Sequence, residues 1–124
     1  RRGGELDGVR VLSPAMLDFC TRNHTGEMRN ILFDMWGGTR NWLLYPASLG
    51  VGFFMRGEGN LPGLFSVMNS ARTFGGFGAG STGFTVDPER ELTLSFLSTG
   101  LMEDSYHFER IGVIASLLLA AMTE

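Results

Sequence analysis

The stretch from Phe74 to Phe96, FGGFGAGSTGFTVDPERELTLSF, constrains the fold of this chain more than any other. Its first eleven residues hold five glycines and no charge. Ala71 to Val86 reads as a glycine-rich strand, or as a loop entering a strand. Asp87-Pro88-Glu89-Arg90 is a tight turn. Glu91 to Ser98 then reads as a strand, with Leu92, Leu94 and Phe96 on one face. The pair makes a β-hairpin, so the chain builds an antiparallel sheet around it. Five glycines in a strand-like run cost conformational entropy. They fit where backbone must come close to another backbone or to a ligand.

Two short motifs overlap in this stretch. Gly78, Gly80 and Gly83 match the spacing of a dinucleotide-binding fingerprint, and Ala79 to Gly83, AGSTG, is close to a nucleophile elbow. Both motifs need a helix to open directly after the turn. In the first it aims amides at a pyrophosphate, and in the second it throws the serine out on a strained bend. Here Phe84, Val86 and the Asp87-Pro88 turn follow instead. His107 stands downstream of Ser81, as a triad would require, but falls in the first turn of the last helix and is expected to be exposed.

Elements of both periods flank the hairpin. Arg1 to Arg10 is polar and glycine-rich and reads as a connector. Ser13-Pro14 opens a helix that ends near Asn23, with serine as cap and proline at the first helical position. Thr25 to Ala47 has no clean period. Trp36, Trp42 and Tyr45 around Gly37-Gly38 read as a loop with aromatic anchors, and these three are candidates to line a substrate pocket. Leu49 to Arg56 reads as a strand, and Asn60 to Gly63 as a turn. Asp104 or Ser105 caps a final helix in which Tyr106, Ile111, Ile114, Leu117, Leu118 and Ala121 recur at helical spacing. Nearly every position from Ile111 onward is apolar, so this helix is expected to be covered on more than one face and to pack on the sheet. The expected fold class is α+β, an antiparallel sheet with N- and C-terminal helices packed on it.

Composition narrows the chemistry. The 124 residues form one domain's worth of chain, 1–124, of which 1–10 is the connector. A chain of this length buries roughly two thirds of its unfolded surface. At 44% hydrophobic and 19% charged it reads as globular. All ten basic residues are arginine, which excludes a Schiff-base lysine, a Walker lysine and a lysine general base. The net charge is −3 and the arginines are dispersed, which argues against a nucleic-acid surface. The single cysteine, Cys20, excludes an internal disulfide and a cysteine-based zinc site, and reads as a buried structural thiol. His24, Glu27 and Asp34 fit no ligand spacing and read as a solvated loop. No cofactor or metal is implied. The longest apolar run, Ile111 to Met122, is too short to span a bilayer. No signal peptide is visible, so localisation stays open between cytoplasm and export. The opening RRGG, without Met, reads as a fragment or a processed product.

Taken in order, several stretches resemble a known family. FGGFGAGSTGFTVDP followed by ERELTLSFLSTGLM looks like the C-terminal part of the serine β-lactamase-related hydrolases. That group includes class C β-lactamases, penicillin-binding proteins and their esterase relatives. Its typical string is an aromatic, then Gly-His-x-Gly-x-Gly-Gly, a short apolar strand ending in Asp-Pro, and a strand ending in Thr-Asn. GVRVLSPAMLDFCTRN resembles the family's G-x-R-(Ile/Val)-Leu-Ser-Pro helix, and LGVGFFMRGE its Gly-Leu-Gly-Phe strand. The last helix resembles the family's C-terminal one. The resemblance runs from about Gly8 onward.

The resemblance implies a partial β-lactamase/transpeptidase-like fold. It also implies a third active-site element on the sheet's edge strand, Lys-Thr-Gly or His-x-Gly in the family. Aligned on Asp87-Pro88, that element falls on Gly76, Phe77 and Gly78, with Ala79 giving one oxyanion-hole amide. The expected lysine or histidine and the hydroxyl are replaced by Gly76 and Phe77. The acylating S-x-x-K is absent, and Tyr45 is followed by Pro46-Ala47 rather than x-Asn. Two functions are therefore expected. One is the C-terminal part of a serine hydrolase that cleaves esters or amides through an acyl-serine only when completed by upstream sequence. The other is a non-catalytic module for binding or oligomeric assembly. In the family, N-terminal strands complete the sheet and an N-terminal helix covers it. The expected partner is accordingly a second copy or the upstream part of the same protein.

Overall fold

The computed structural model describes residues 2–43, 45–58, 63–79 and 81–122. After a 3-10 turn at Arg2–Gly4 come strands β1 (Glu5–Leu6) and β2 (Val9–Arg10), then helices α1 (Pro14–Cys20) and α2 (Ile31–Arg40). Strands β3 (Phe54–Met55), β4 (Phe74–Gly78), β5 (Thr82–Asp87) and β6 (Leu92–Phe96) precede the long helix α3 (Asp104–Ala121). The main sheet has the order β3-β4-β5-β6, antiparallel throughout. The architecture is α+β.

The expected hairpin is present as β5 and β6, paired from Asp87↔Leu92 to Gly83↔Phe96. Its turn is fixed by Asp87, whose side chain is 1% exposed. The carboxylate accepts from Ser70 N at 2.8 Å, Ser70 Oγ at 2.7 Å, Asn69 Nδ2 at 3.1 Å and Arg90 N at 3.2 Å. Asp87 thereby ties the segment leading into β4 to the turn leading out of β5. Arg56 holds the same segment from the other side, donating to Ser66 O at 3.2 Å and Val67 O at 3.0 Å.

The glycine-rich stretch holds two strands rather than one. The chain reverses between Gly78 and Thr82, and β4 pairs with β5 from Phe74↔Val86 to Gly78↔Thr82. Alternation then sorts residues between the two faces. Phe77 points to the helices, with its ring centroid 4.4 Å from that of Phe108 in α3. A methyl group added at Gly83 would sit 2.5 Å from Ile111 Cδ1, so α3 lies close against the sheet there. The same helix also rests on the loop before β4, where a methyl at Gly112 would sit 2.5 Å from the Gly63 carbonyl oxygen. The core is aromatic. Phe33 and Trp36 from α2, Tyr45, Leu64, and Phe108 and Ile111 from α3 are buried together, with Phe54, Phe77 and Phe96 of the sheet packed against them.

Several elements differ from the sequence reading. Ser13 caps α1 as expected, accepting from Met16 N, but the helix ends at Cys20 rather than near Asn23. Cys20 is half-buried, not buried. The aperiodic region contains helix α2, capped by Asn30 Oδ1 accepting from Leu32 N at 3.0 Å. Gly37-Gly38, which suggest a loop, lie in its last turns, where packing of Phe33 and Trp36 outweighs the propensity loss of about 1 kcal/mol per glycine. Only Phe54–Met55 of the expected 49–56 strand is extended. Gly52, at φ +81°, helps turn the chain just before it. Within the expected connector, Glu5 to Arg10 form a small hairpin, Glu5↔Arg10 and Leu6↔Val9. The expected turn at Asn60 to Gly63 falls largely on 60–62, outside the described residues.

Helix α3 is capped by Glu103, not by Asp104 or Ser105. Its carboxylate accepts from Ser105 N and Tyr106 N. The buried positions are Ser105, His107, Phe108, Ile111, Ala115 and Leu119, while Tyr106, Leu117 and Leu118 are exposed. The uniformly apolar sequence hides which stripe faces the sheet, and the fit of Phe108 among the aromatics selects it. No helix among the described residues is long and apolar enough to cross a membrane.

The hydrogen-bond set at Asp87 makes stability sensitive to acid. Burial pushes its carboxyl up, but the bonds from Ser70, Asn69 and Thr73 outweigh that and bring it down to about 2. A depressed native value stabilises the fold at pH above the ordinary carboxylate range and is lost as pH falls from about 4 towards 2. The loss expected in urea unfolding over that window is on the order of 2 kcal/mol. Asp87→Asn should lower neutral-pH stability and abolish that part of the acid slope.

Candidate functional site

The face of the sheet turned away from the helices carries an open groove of about 570 Å³. Gly76 and Gly78 of β4, Thr82 and Phe84 of β5, Ser95 and Leu97 on the β6 side, and Leu49, Gly50 and Gly52 to Phe54 border it. Two conditions create this groove. Strand β3 pairs with only Phe74 and Gly75, so Gly76 to Gly78 have no ladder partner on that side among the described residues. The glycines also leave no side chains to fill the space. The expectation of β4 as an edge strand is therefore corrected to a strand covered at its start and open at its end.

The residues aligned with the family's third element divide between the two faces. Gly76 and Gly78 border the groove, whereas the Phe77 ring is a core side chain, 5.2 Å from Phe54 and 5.9 Å from Trp36 by ring centroids. Ala79 is exposed in the turn between β4 and β5. At Gly76 the space is already taken. Its direct cross-strand partner is Phe84, and a methyl group added at Gly76 would lie 3.1 Å from the Phe84 ring. Phe84 in turn meets Phe53 edge-on at 6.3 Å. An aromatic thus stands over the position where the resemblance implies a cation.

Ser81 has the φ of +60° that an elbow serine would show, but it is completely buried and no helix follows it. Its Oγ accepts from Met102 N at 2.6 Å, clamping the β4–β5 turn to the segment entering α3. His107 is buried, contrary to the exposed position expected. Its Nε2 lies 2.9 Å from Thr82 O and its Nδ1 3.0 Å from Arg110 Nη2. The carbonyl only accepts and the guanidinium only donates, so the ring carries its proton on Nε2 and offers Nδ1 as acceptor. Both nitrogens are engaged, and neither meets Ser81 Oγ. This cluster holds a turn and contains no nucleophile–base pair.

The aromatic pocket candidates lie on the helix side. Trp36 and Tyr45 are core residues, and Trp42 packs against the core beside Arg40. Tyr45 lines a small, partly open pocket of about 40 Å³ with Phe33, Phe54 and Phe108. Burial pushes its phenol up to about 12, and its hydroxyl has no hydrogen-bond partner among the described residues. His24 Nε2 bonds Phe19 O at 2.7 Å, and Asp34 pairs with Arg29 at 2.8 Å. Among the described residues no group of three or more His, Cys, Asp or Glu is placed to hold a metal. Phe53, Phe84, Thr82 and Ser95 border the groove without having been singled out in the sequence. Recognition of Phe84 needed the β4–β5 register, which sets it opposite Gly76.

No family model matches this chain, and no curated protein matches it. Among solved structures it is similar to a β-lactamase from Mycobacterium bovis, at a TM-score of 0.69 and 25% identity. The match covers 89% of this chain and 38% of that one. The fold is β-lactamase-like, and the chain spans well under half the length of the structure it matches.

Two substitutions test these assignments. Ser81→Ala leaves the Met102 amide without its acceptor and should lower stability by about 1–3 kcal/mol in denaturant titration. Gly76→Lys must displace the Phe84 ring, with an expected loss of about 1–3 kcal/mol that shrinks in a Phe84→Ala background. An unchanged midpoint for Gly76→Lys alone would contradict the placement of Phe84.

Proposed function

We propose that this chain is the C-terminal part of a β-lactamase-related serine hydrolase domain and supplies one wall of its substrate groove. The observation that carries the reading is the groove along Gly76 to Gly78. It follows the unpaired end of β4, it is largely apolar, and its bordering residues include no acid, no base and no cysteine, only the hydroxyls of Thr82 and Ser95. Such a surface can bind the apolar body of a small acyl compound, and backbone amides near Ala79 can stabilise a developing oxyanion. It cannot generate a nucleophile. In the completed protein the serine and its lysine come from sequence outside this chain, and the reaction is acyl transfer to that serine followed by hydrolysis of an ester or amide.

A second reading is favoured by Phe84. With an aromatic closing the space over Gly76, the domain serves binding or assembly as a homo-oligomer, without turnover. The two readings separate on the same reagents. The 124-residue chain should show no turnover of a chromogenic β-lactam or a short-chain ester, and no adduct with a fluorophosphonate probe by mass spectrometry. Labelling at Ser81 would sink both. A natural open reading frame that continues upstream with S-x-x-K, and whose product turns over either substrate, supports the hydrolase. An upstream sequence lacking that motif leaves assembly as the function.

A further inference from the structure

Tyr45 ends in a hydroxyl that the fold leaves unused. The residue is 8% exposed, and its Oη is shut off from solvent without a hydrogen-bond partner. Buried hydroxyls are normally paired, so this one calls for a partner that the chain does not supply. It lies beside the bare backbone of Gly63, where an added methyl group would sit 3.5 Å from Tyr45 Oη and 3.3 Å from Phe108 Cδ1. Burial holds the phenol up to about 12, so at neutral pH it is protonated and able to donate.

The pocket that Tyr45 lines also carries a charge. Arg56, directly after β3, borders it, and Phe33, Phe54, Leu64 and Phe108 form much of the remaining wall. Three of the five guanidinium N–H groups are committed. Nε donates to Ser66 O at 3.2 Å, Nη2 to Val67 O at 3.0 Å and Nη1 to Gly57 O. One N–H on each terminal nitrogen is left over. The three carbonyls orient the guanidinium without neutralising it. Among the described residues no acid pairs with Arg56, whereas Arg10, Arg22, Arg29, Arg40 and Arg90 each have one. A half-buried cation without a counter-ion thus stands at the same pocket as a buried donor without an acceptor.

These features select a ligand. One cation and one neutral donor match a single carboxylate, whose two oxygens accept both kinds of bond. Apolar walls match an alkyl body, and they disfavour a dianion such as phosphate, which would give up more hydration than one arginine returns. The room of about 40 Å³ equals that of about three waters, and the pocket is partly open, which suits a chain of a few carbons. We propose that this pocket binds a short aliphatic monocarboxylate, of acetate to butyrate size, whose carboxylate accepts from Arg56 and Tyr45 Oη while its alkyl chain packs against Phe33 and Phe108. The site lies on the helix side of the sheet and rests on neither reading of the groove.

Titration of sodium butyrate into the isotope-labelled chain should give saturable amide shifts at Arg56, Gly63 and Leu64, with a dissociation constant on the order of millimolar. Butanol should bind at least about tenfold more weakly, and sodium chloride at equal ionic strength should leave these resonances in place. Arg56→Gln should weaken butyrate binding at least about tenfold. Because Arg56 also holds the backbone at Ser66 and Val67, Tyr45→Phe is the second test. It removes only an unpaired hydroxyl, so it should keep or raise the melting temperature, yet weaken butyrate binding about threefold or more. The longer protein of the hydrolase reading should bind butyrate as this chain does. Four outcomes overturn the proposal: no saturable shift up to about 100 mM, butanol binding as well as butyrate, either variant binding like wild type, or loss of binding in the longer protein, where a carboxylate of the protein itself then takes the site.

Discussion

The packing of Phe108 holds this structure together. One ring, 1% exposed, touches Phe77 of the sheet, Trp36 and Phe33 of α2, and the Phe54 strand edge-on. Edge-to-face and tilted aromatic contacts contribute beyond their buried area, and one residue of α3 engages both other layers. The helix reaches this position because the sheet beneath it is bare at Gly83, and the loop beside it can approach Gly112. The glycines thus serve two faces. Those on the helix side let α3 settle onto the sheet. Those on the far side leave the groove.

Local chemistry made part of this legible in advance. The Asp87 turn, the β5–β6 strands, the serine cap of α1 and the existence of α3 each have a signal within a few residues. Features set by contacts distant in sequence were not legible. Helix α2 carries glycines where a loop is expected, and only the core formed with residues from Tyr45 to Phe108 makes it helical. The buried stripe of α3 could not be chosen from a nearly uniform apolar run. Gly76 to Gly78 could be aligned with an active-site element by resemblance. The ring over Gly76 depended on strand register, and the burial of His107 depended on the β4–β5 turn folding back beneath α3.

The site is therefore a surface from which reactive groups are withdrawn. Ser81 and His107 are close along the fold, yet each is committed to a backbone partner. Arginine supplies every formal basic side chain, and the arginines within reach of the core serve structure: Arg40 bridges to Glu109 and stacks 4.0 Å from the Tyr106 ring, while Arg56 holds backbone carbonyls. What remains at the open end of β4 is shape and main-chain polarity. On the proposed reading, these are what the chain brings to binding and to chemistry carried out by groups from elsewhere.

Trp36 has a further consequence. It is 5% exposed and meets Phe77 edge-on, and the Phe77 backbone borders the groove on the opposite face. A natural fluorophore therefore sits one strand's thickness beneath the open surface, in an aromatic setting, while Trp42 is only half-buried beside an arginine. The molecule carries its own optical gauge. Emission from this buried indole is expected to lie to the blue of an exposed one and to follow the state of the core without any attached label.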